Sequence, residues 1–137
     1  MTDVQSVDHV QLPIPMGAAP KARAFYEGLL GLKEVRSPEL DRPGTLRFSL
    51  GWQRLDLSEG TYTGVAPQAH LALRVRGIPE LTQRLLAAGF RVDLSWHSDH
   101  WVYTEDPFGN RLELIELETA SIGTREHLHV QDLHLAV

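Results

Sequence analysis

Four polar side chains of this 137-residue sequence stand at positions that are related by an internal repeat, and together they could bind a divalent metal ion. They are His9, Asp56, His70 and Glu113. His9 and His70 are 61 residues apart, and Asp56 and Glu113 are 57 residues apart. Imidazole and carboxylate groups bind iron, nickel, zinc, cobalt and manganese in proteins. Two imidazoles with one or two carboxylates would leave coordination positions open, as catalytic metal sites do.

The segments that carry these residues are predicted strands, because apolar and polar residues alternate along them. The first half predicts a strand, a helix and three strands, at residues 7–14, 18–30, 32–36, 45–50 and 53–58. The second half predicts the same order, at residues 70–76, 79–88, 90–94, 102–105 and 111–117. In every case the candidate ligand lies on the face opposite the aliphatic side chains.

The last two strands are predicted to form a hairpin around Asp106–Asn110. Pro107 suits the second position of a tight turn, and Gly109 can adopt the positive φ that such a turn requires. The turn fixes the register of the two strands, which places Glu113 on the face opposite Leu112 and Leu114.

The repeated order predicts an α+β fold of two paired βαβββ modules that form a curved mixed sheet, or cup. We expect a single domain over residues 1–120, with modules at 7–58 and 70–117, a linker at 59–69 and a C-terminal tail at 121–137. One such module cannot bury its sheet alone, so the two should pair about a pseudo-twofold axis. The four candidate residues would then converge on the face of the sheet that carries no helix.

Composition excludes several classes of function. The sequence has no cysteine, so disulfides, thiolate zinc sites and a cysteine nucleophile are excluded, which fits a cytoplasmic location. The formal net charge of −5 with scattered basic residues argues against nucleic acid as a partner. We find neither a membrane-length apolar run nor a phosphate-binding loop, dinucleotide fingerprint or serine nucleophile elbow.

Four segments of the sequence resemble the vicinal oxygen chelate superfamily, namely Asp8–Leu12, Ala24–Leu32, Ala69–Val75 and Glu105–Glu116. This superfamily includes glyoxalase I, fosfomycin-resistance enzymes, extradiol dioxygenases, methylmalonyl-CoA epimerase and bleomycin-binding proteins. The resemblance covers residues 7–117 and implies the glyoxalase/bleomycin resistance/dioxygenase fold, usually as a homodimer with one metal ion in each cup.

The resemblance also implies roles for the four residues. The metal ligands of the family fall on His9, His70 and Glu113, and the glutamate that serves glyoxalase I as fourth ligand and base falls on Asp56. Aspartate is shorter by one methylene, so either of those roles is an open question. The implied function is that of a divalent-metal-dependent enzyme acting on a small molecule through an oxyanion or enediolate-like intermediate, either a lyase/isomerase or a ring-cleaving dioxygenase. The sequence does not distinguish Fe, Ni, Zn, Co and Mn.

The stretch from Val102 to Glu113 resembles the extradiol dioxygenase signature, which makes Tyr103 a candidate catalytic residue. That signature also contains a histidine before the strand, and His97 misses its position by one residue. His100 is the substitute candidate for a local acid or base. The alternative is that Tyr103 packs as an ordinary strand aromatic while both histidines are solvated. The tryptophans 52, 96 and 101 equally fit the wall of an apolar pocket or core packing.

Two other classes of function fit the same sequence. One is a metal-independent protein that sequesters a small ligand, as bleomycin-resistance proteins do, and the other is an accessory dimer without a small ligand. Bleomycin-binding members generally lack the ligand set, so its presence here favours the enzyme. A cup built within one chain and a cup shared across a dimer both fit the sequence.

Overall fold

The computed structural model describes residues 2–39, 41–62, 64, 69–95 and 98–116. The first half contains β1 (His9–Pro15), the helix α1, β2 (Lys33–Glu34), β3 (Thr45–Leu50) and β4 (Gln53–Gly60). The helix α1 is α-helical over Ala19–Arg23 and π-helical over Ala24–Leu29. The second half contains β5 (His70–Arg74), α2 (Ile78–Ala87), β6 (Val92–Ser95), β7 (Ser98–Glu105) and β8 (Arg111–Ile115).

The two halves have the same topology. The strand order is β1-β4-β3-β2 in the first sheet and β5-β8-β7-β6 in the second. The first strand of each half pairs in parallel with the last strand, and the remaining pairs are antiparallel. The predicted α+β architecture of two βαβββ units with mixed sheets is therefore confirmed.

Some boundaries differ from those predicted. The strand β4 continues through Glu59 and Gly60, which the sequence placed in the linker, because both residues extend the parallel ladder with Ile14 and Pro15. The strand β7 begins at Ser98, four residues before the predicted start at residue 102. The predicted tail at 121–137 lies outside the described residues. Within the described ranges, no helix is long and apolar enough to span a membrane.

The aliphatic face of each sheet is buried, as the alternation predicts. Leu55 and Leu57 of β4 and Leu112 and Leu114 of β8 are fully buried. They belong to one core that both modules share, with the further members Ile14, Ala22, Phe25, Tyr26, Leu46, Phe48, Leu73, Ile78, Leu81, Leu85 and Val102. This burial fixes which face of each strand is left for the polar residues.

A buried carboxyl group, that of Asp106, joins the two modules. Its Oδ1 accepts hydrogen bonds from the backbone N–H groups of Phe108 (2.9 Å) and Asn110 (2.8 Å), which builds the predicted turn. Its Oδ2 accepts from the hydroxyl of Tyr26 in α1 (2.6 Å) and from Nδ2 of Asn110 (2.8 Å). Burial, and then the neighbouring Asp106, raise the pKa of the Tyr26 hydroxyl, so this hydroxyl stays protonated and donates.

Both helices are capped by a glutamate at the end of the last strand of their own half, Glu59 within β4 and Glu116 directly after β8. Neither helix has a side-chain cap of its own. Instead, Glu59 accepts a hydrogen bond from the N–H of Ala19 (2.9 Å), and Glu116 accepts from the N–H groups of Gly77 (2.8 Å) and Ile78 (3.0 Å). These contacts satisfy backbone donors that the first turn of a helix leaves unpaired, and they place a carboxylate at the positive end of the helix dipole.

Replacing Tyr26 with Phe should destabilise the protein by about 1–3 kcal/mol, because Asp106 loses a donor in a buried place. Urea unfolding measures this loss. Tyr62→Phe is the comparison variant. It removes a hydroxyl that donates to the carbonyl of Phe108 in the same turn, but Tyr62 is only half-buried, so water can replace the lost contact and the effect should be smaller. Equal losses in the two variants would contradict the larger contribution of the buried Tyr26–Asp106 contact.

Replacing Glu116 with Gln should lower stability by about 0.5 kcal/mol at neutral pH, because the negative charge at the start of α2 is lost. The N–H groups of Gly77 and Ile78 hold the pKa of Glu116 below its usual value of 4.5. A lowered folded-state pKa stabilises the protein above the unfolded pKa, and this contribution disappears as pH falls through the folded pKa.

The difference in unfolding free energy between wild type and Glu116→Gln should therefore shrink as pH is lowered from neutral to below about 4. Glu105→Gln, an exposed strand position, is the control and should behave as wild type. A difference that stays constant with pH would rule out the charged cap.

Candidate metal site

The strands β5 and β8 bring His70 and Glu113 together. They are neighbours in the second sheet, where Glu113 lies opposite Ala72 and His70 lies opposite Arg111. The Nε2 atom of His70 is 3.2 Å from Oε2 of Glu113. The Glu113 residue is only 7% exposed, whereas the His70 side chain is 47% exposed. One of the two groups is therefore held within the protein, and the other opens to solvent.

The adjacent strand β7 fixes the other oxygen of Glu113. The indole Nε1 of Trp101 donates a hydrogen bond to Oε1. Tyr103 is the cross-strand partner of Glu113, and burial followed by the Glu113 carboxylate raises the pKa of its hydroxyl, which stays protonated. Trp101 therefore holds Oε1, while Oε2 faces Nε2 of His70.

The strands β1 and β4 bring His9 and Asp56 together less closely. The Nε2 atom of His9 is 3.9 Å from Oδ2 of Asp56, while its Nδ1 is 2.8 Å from Oδ2 of Asp8. Arg54 lies two residues before Asp56 on the same face and binds both of its oxygens, with Nε to Oδ1 at 2.7 Å and Nη2 to Oδ2 at 3.1 Å. The buried Asp56 carboxylate is thus already neutralised by a bidentate guanidinium.

The four predicted residues form two pairs rather than one cluster. Among the residues that the structure describes, no group of three or more His, Asp or Glu side chains is arranged to hold one metal ion. A single chain therefore brings His70 to Glu113 and His9 to Asp56, but it does not bring the two pairs together.

The distance between His70 and Glu113 matches the separation of two ligands on one metal ion. Metal–ligand bonds of about 2.1 Å at angles near 90–110° separate two ligand atoms by about 3.0–3.4 Å. The distance of 3.2 Å between His70 and Glu113 falls in that range, so this pair fits as two ligands of one ion. His9 also suits a ligand, because a carboxylate that accepts a hydrogen bond from Nδ1 leaves Nε2 with a lone pair for a metal ion, as outer carboxylates do for metal-binding histidines.

His100 lies on the other side of its strand. It alternates with Trp101 and Tyr103 along β7, so its side chain is on the face opposite Glu113. Its Nδ1 is 3.7 Å from Oε1 of Glu116, the residue that caps the start of α2. The structure therefore does not bring His100 together with the predicted ligands. His97 and Trp96 lie outside the described residues, and Trp52 is 98% exposed at the β3–β4 turn.

Two contacts that hold the carboxylates, those of Arg54 and Trp101, are not among the features predicted from the sequence. Arg54 shares a face with Asp56 at a spacing of two residues, which is a usable signal for an ion pair on a strand. Trp101 shares a face with Tyr103, but its contact with Glu113 depends on the register between β7 and β8. That register pairs Trp101 with Ile115 and Tyr103 with Glu113.

A cavity of about 570 Å³ opens beside the His70–Glu113 pair, and its lining includes His70, Tyr103 and Arg111. Its volume suits a small organic molecule.

Comparison with known proteins identifies the fold and the family. A family model described as a glyoxalase-like domain matches residues 15–115. A solved structure from Bacillus anthracis, assigned to the glyoxalase family, is 34% identical with a TM-score of 0.74, covering 86% of this chain and 99% of that chain. No curated protein matches the sequence.

Two further solved structures share the fold at lower identity. Lactoylglutathione lyase from Agrobacterium tumefaciens is 23% identical with a TM-score of 0.62, covering 84% of this chain and 96% of that chain. The fosfomycin resistance protein FosX from Listeria monocytogenes is 18% identical with a TM-score of 0.67, covering 85% and 97%.

Replacing Glu113 with Gln should shift the NMR resonance of the Trp101 indole N–H upfield, because a hydrogen bond to a neutral amide is weaker than one to a carboxylate. The shift is measured by NMR on protein that carries isotope-labelled tryptophan. The resonance of Trp101 is assigned from its absence in the Trp101→Phe variant. The exposed Trp52 indole is the internal control and should not move. An unchanged Trp101 resonance would contradict the hydrogen bond.

Proposed function

Because the chain belongs to the glyoxalase-like domain family, we propose that it is a divalent-metal-dependent enzyme that acts on a small molecule. His70 and Glu113 of one chain and His9 of a second chain would hold the ion. The observation that carries this proposal is the spacing of 3.2 Å between a buried, oriented carboxylate and a half-exposed imidazole. The coordination positions that these side chains leave open would face the adjacent cavity.

A second copy of the chain is part of the proposal because the described residues of one chain contain no complete ligand set. The strands that carry His9 and His70, β1 and β5, are both at the edge of their sheets. A strand edge has unpaired backbone groups that another chain can cover. A twofold dimer that sets β1 of one chain beside β5 of the other would bring His9 to the His70–Glu113 pair twice.

An apolar cavity near these edges supports the same arrangement. It has a volume of about 670 Å³, and its lining includes Val10 from β1 and Leu71 and Leu73 from β5. Apolar surface at a sheet edge is stabilised when a partner subunit covers it. We therefore propose a homodimer.

When bound, the divalent ion would supply Lewis-acid stabilisation of negative charge that develops on a substrate oxygen. The side chains of this protein do the rest. Trp101 holds Glu113 in place, and Tyr103 offers a protonated hydroxyl beside the same carboxylate, so it is the candidate proton donor. Asp56 remains the candidate proton-transfer base, but Arg54 binds both of its oxygens and would have to move away when substrate binds.

The fold neighbours suggest the class of reaction. One is a lactoylglutathione lyase and another is a fosfomycin resistance protein. We therefore propose a glyoxalase-like lyase or isomerase reaction first. Ring cleavage by dioxygenation uses the same open arrangement of ligands, and the metal ion that binds would decide between the two. A cysteine-free chain suits a reducing compartment, so we propose a cytoplasmic location.

The second candidate function is a metal-independent protein that sequesters a small ligand. It is favoured by the contacts that already satisfy both carboxylates, since Arg54 binds Asp56 while Trp101 and His70 contact Glu113. In that case the polar groups would be paired internally and the cavity beside His70 would hold the ligand.

Metal analysis of mixed variants tests the shared site. Wild-type protein dialysed against Mn, Fe, Co, Ni or Zn should retain close to one ion per chain for at least one of these metals, and His9→Ala and Glu113→Ala should each lose it. Unfolding, mixing and refolding the two variants should restore roughly a quarter of the wild-type content, since half of randomly paired dimers are mixed and each has one intact site.

His100→Ala is the control, because its side chain lies on the opposite face, and it should bind metal as wild type does. Loss in both variants without restoration on mixing would contradict a site shared between chains. Wild-type protein that stays without metal under every condition would favour the sequestering protein instead.

A further inference from the structure

Four arginines line a groove at the β2 edge of the first sheet, which is the edge opposite β1. The groove has a volume of about 410 Å³ and is bounded by α1, by β2 and the residues after it, and by residues 41–47. The arginines are Arg23, Arg36, Arg42 and Arg47. We call this feature the arginine groove. The strand order β1-β4-β3-β2 separates it from His9 on the opposite edge of the same sheet.

Glu34 is the first of two acidic residues in the groove. Its carboxylate is shared by two arginines, with Arg23 Nε at 2.9 Å from Oε1 and Arg36 Nε at 3.0 Å from Oε2. The Glu34 side chain is only 8% exposed, whereas that of Arg36 is 64% exposed. The single charge of Glu34 balances only one of these two guanidinium groups. Arg36, the more exposed of the two, retains N–H donors that face solvent.

Asp41 is the second acidic residue. It accepts a hydrogen bond from the N–H of Ser37 at 3.1 Å and one from the guanidinium of Arg47. The Ser37 N–H, then Arg47, lower the pKa of Asp41, so the carboxylate is ionised at neutral pH. Arg47 is nearly fully buried, so its charge lies inside the wall of the groove. Arg42 is exposed, and no ion pair joins it to any described residue.

The side chains that line the groove carry four positive and two negative charges, on a chain whose formal net charge is −5. A third carboxylate, that of Glu59, lies behind the wall, where it accepts a hydrogen bond from Ala19. The groove thus keeps an excess of positive charge, and its exposed cations are Arg36 and Arg42. Like charges in a concave surface repel one another, and an anion that enters the surface removes this repulsion. Guanidinium groups match the oxygens of phosphate and carboxylate with paired N–H donors. A phosphate group carries close to two negative charges at neutral pH and has three acceptor oxygens, so it can pair with both exposed guanidinium groups, those of Arg36 and Arg42.

We propose that the arginine groove binds a small molecule through a phosphate group, with Arg36 and Arg42 as the direct contacts. Arg23 and Arg47 are positioning residues, because they hold Glu34 and Asp41 and so fix the shape of the wall. The groove is larger than a phosphate group, so it also accepts part of an organic remainder. Arg47 is also the cross-strand neighbour of Asp56, but β2 and Arg36 lie at the far edge of the sheet from His9, so binding of a phosphate group here does not require a metal ion.

Calorimetric titration with phenyl phosphate tests the proposal, with the protein first dialysed against a chelator so that no metal ion binds the phosphate. Ionic strength is held constant with potassium chloride, because exposed charges are screened by salt. Wild-type protein should bind phenyl phosphate saturably, and Arg36→Gln/Arg42→Gln should bind it at least about ten-fold more weakly, since two charge-assisted contacts are lost.

Arg84→Gln is the matched control, because Arg84 is an exposed arginine in the last turn of α2 and outside the groove. It should bind as wild type does. Glu34 keeps both of its contacts with Arg23 in the double variant, so this variant should still unfold cooperatively in urea, which separates loss of binding from loss of fold. Equal binding by the double variant, no saturable binding to wild type, or equal affinity for benzoate would each overturn the phosphate site.

Discussion

The buried carboxyl group of Asp106 is the contact on which the rest of the structure depends. Its two oxygens accept four hydrogen bonds, from the backbone of its own turn, from Asn110 and from Tyr26 in the other module. A buried polar group without such partners would destabilise the fold by several kcal/mol, on the order of 2–7. Its complete pairing both shapes the β7–β8 hairpin and ties that hairpin to α1. The residues that surround Glu113 are therefore held by the same carboxyl group that joins the modules.

The last strand of each half carries two acidic residues at or near its end, and their side chains lie on opposite faces of the sheet. Asp56 and Glu59 are three residues apart in β4, and Glu113 and Glu116 are three residues apart at β8. An odd spacing on a strand places two side chains on opposite faces. The first residue of each pair lies on the polar face with a histidine, and the second reaches the start of the helix in its own half. One short repeated segment thus supplies a candidate site carboxylate and a helix cap.

The two halves hold their polar-face carboxylates in different ways, and this difference breaks the symmetry of the repeat. In the first half a guanidinium from Arg54 binds both oxygens of Asp56. In the second half Trp101 donates to one oxygen of Glu113, and the other oxygen faces His70. An indole N–H carries no charge, so it orients a carboxylate without neutralising it, whereas a bidentate guanidinium does both. Glu113 therefore keeps the negative charge that a metal ligand supplies, whereas the charge of Asp56 is already matched by Arg54.

The sequence by itself determined the secondary structure, the repeat and the face on which each candidate residue lies. Alternation along β4 and β8 assigned Asp56 and Glu113 to the face opposite the leucines, and the turn residues Pro107 and Gly109 marked the final hairpin, where Gly109 has a φ of 90°. These features follow from local backbone geometry and from the burial of apolar side chains, so neighbouring residues are sufficient to predict them.

Only the tertiary structure decided which candidate residues meet. It gave Glu113 its contact with Trp101, directed His100 towards Glu116, and kept the His9–Asp56 pair apart from the His70–Glu113 pair within one chain. Those outcomes depend on the register between strands and on how the two modules pack, which involve residues far apart in the chain. A periodic pattern assigns a side chain to a face, but it carries no information about the distance between two sheets.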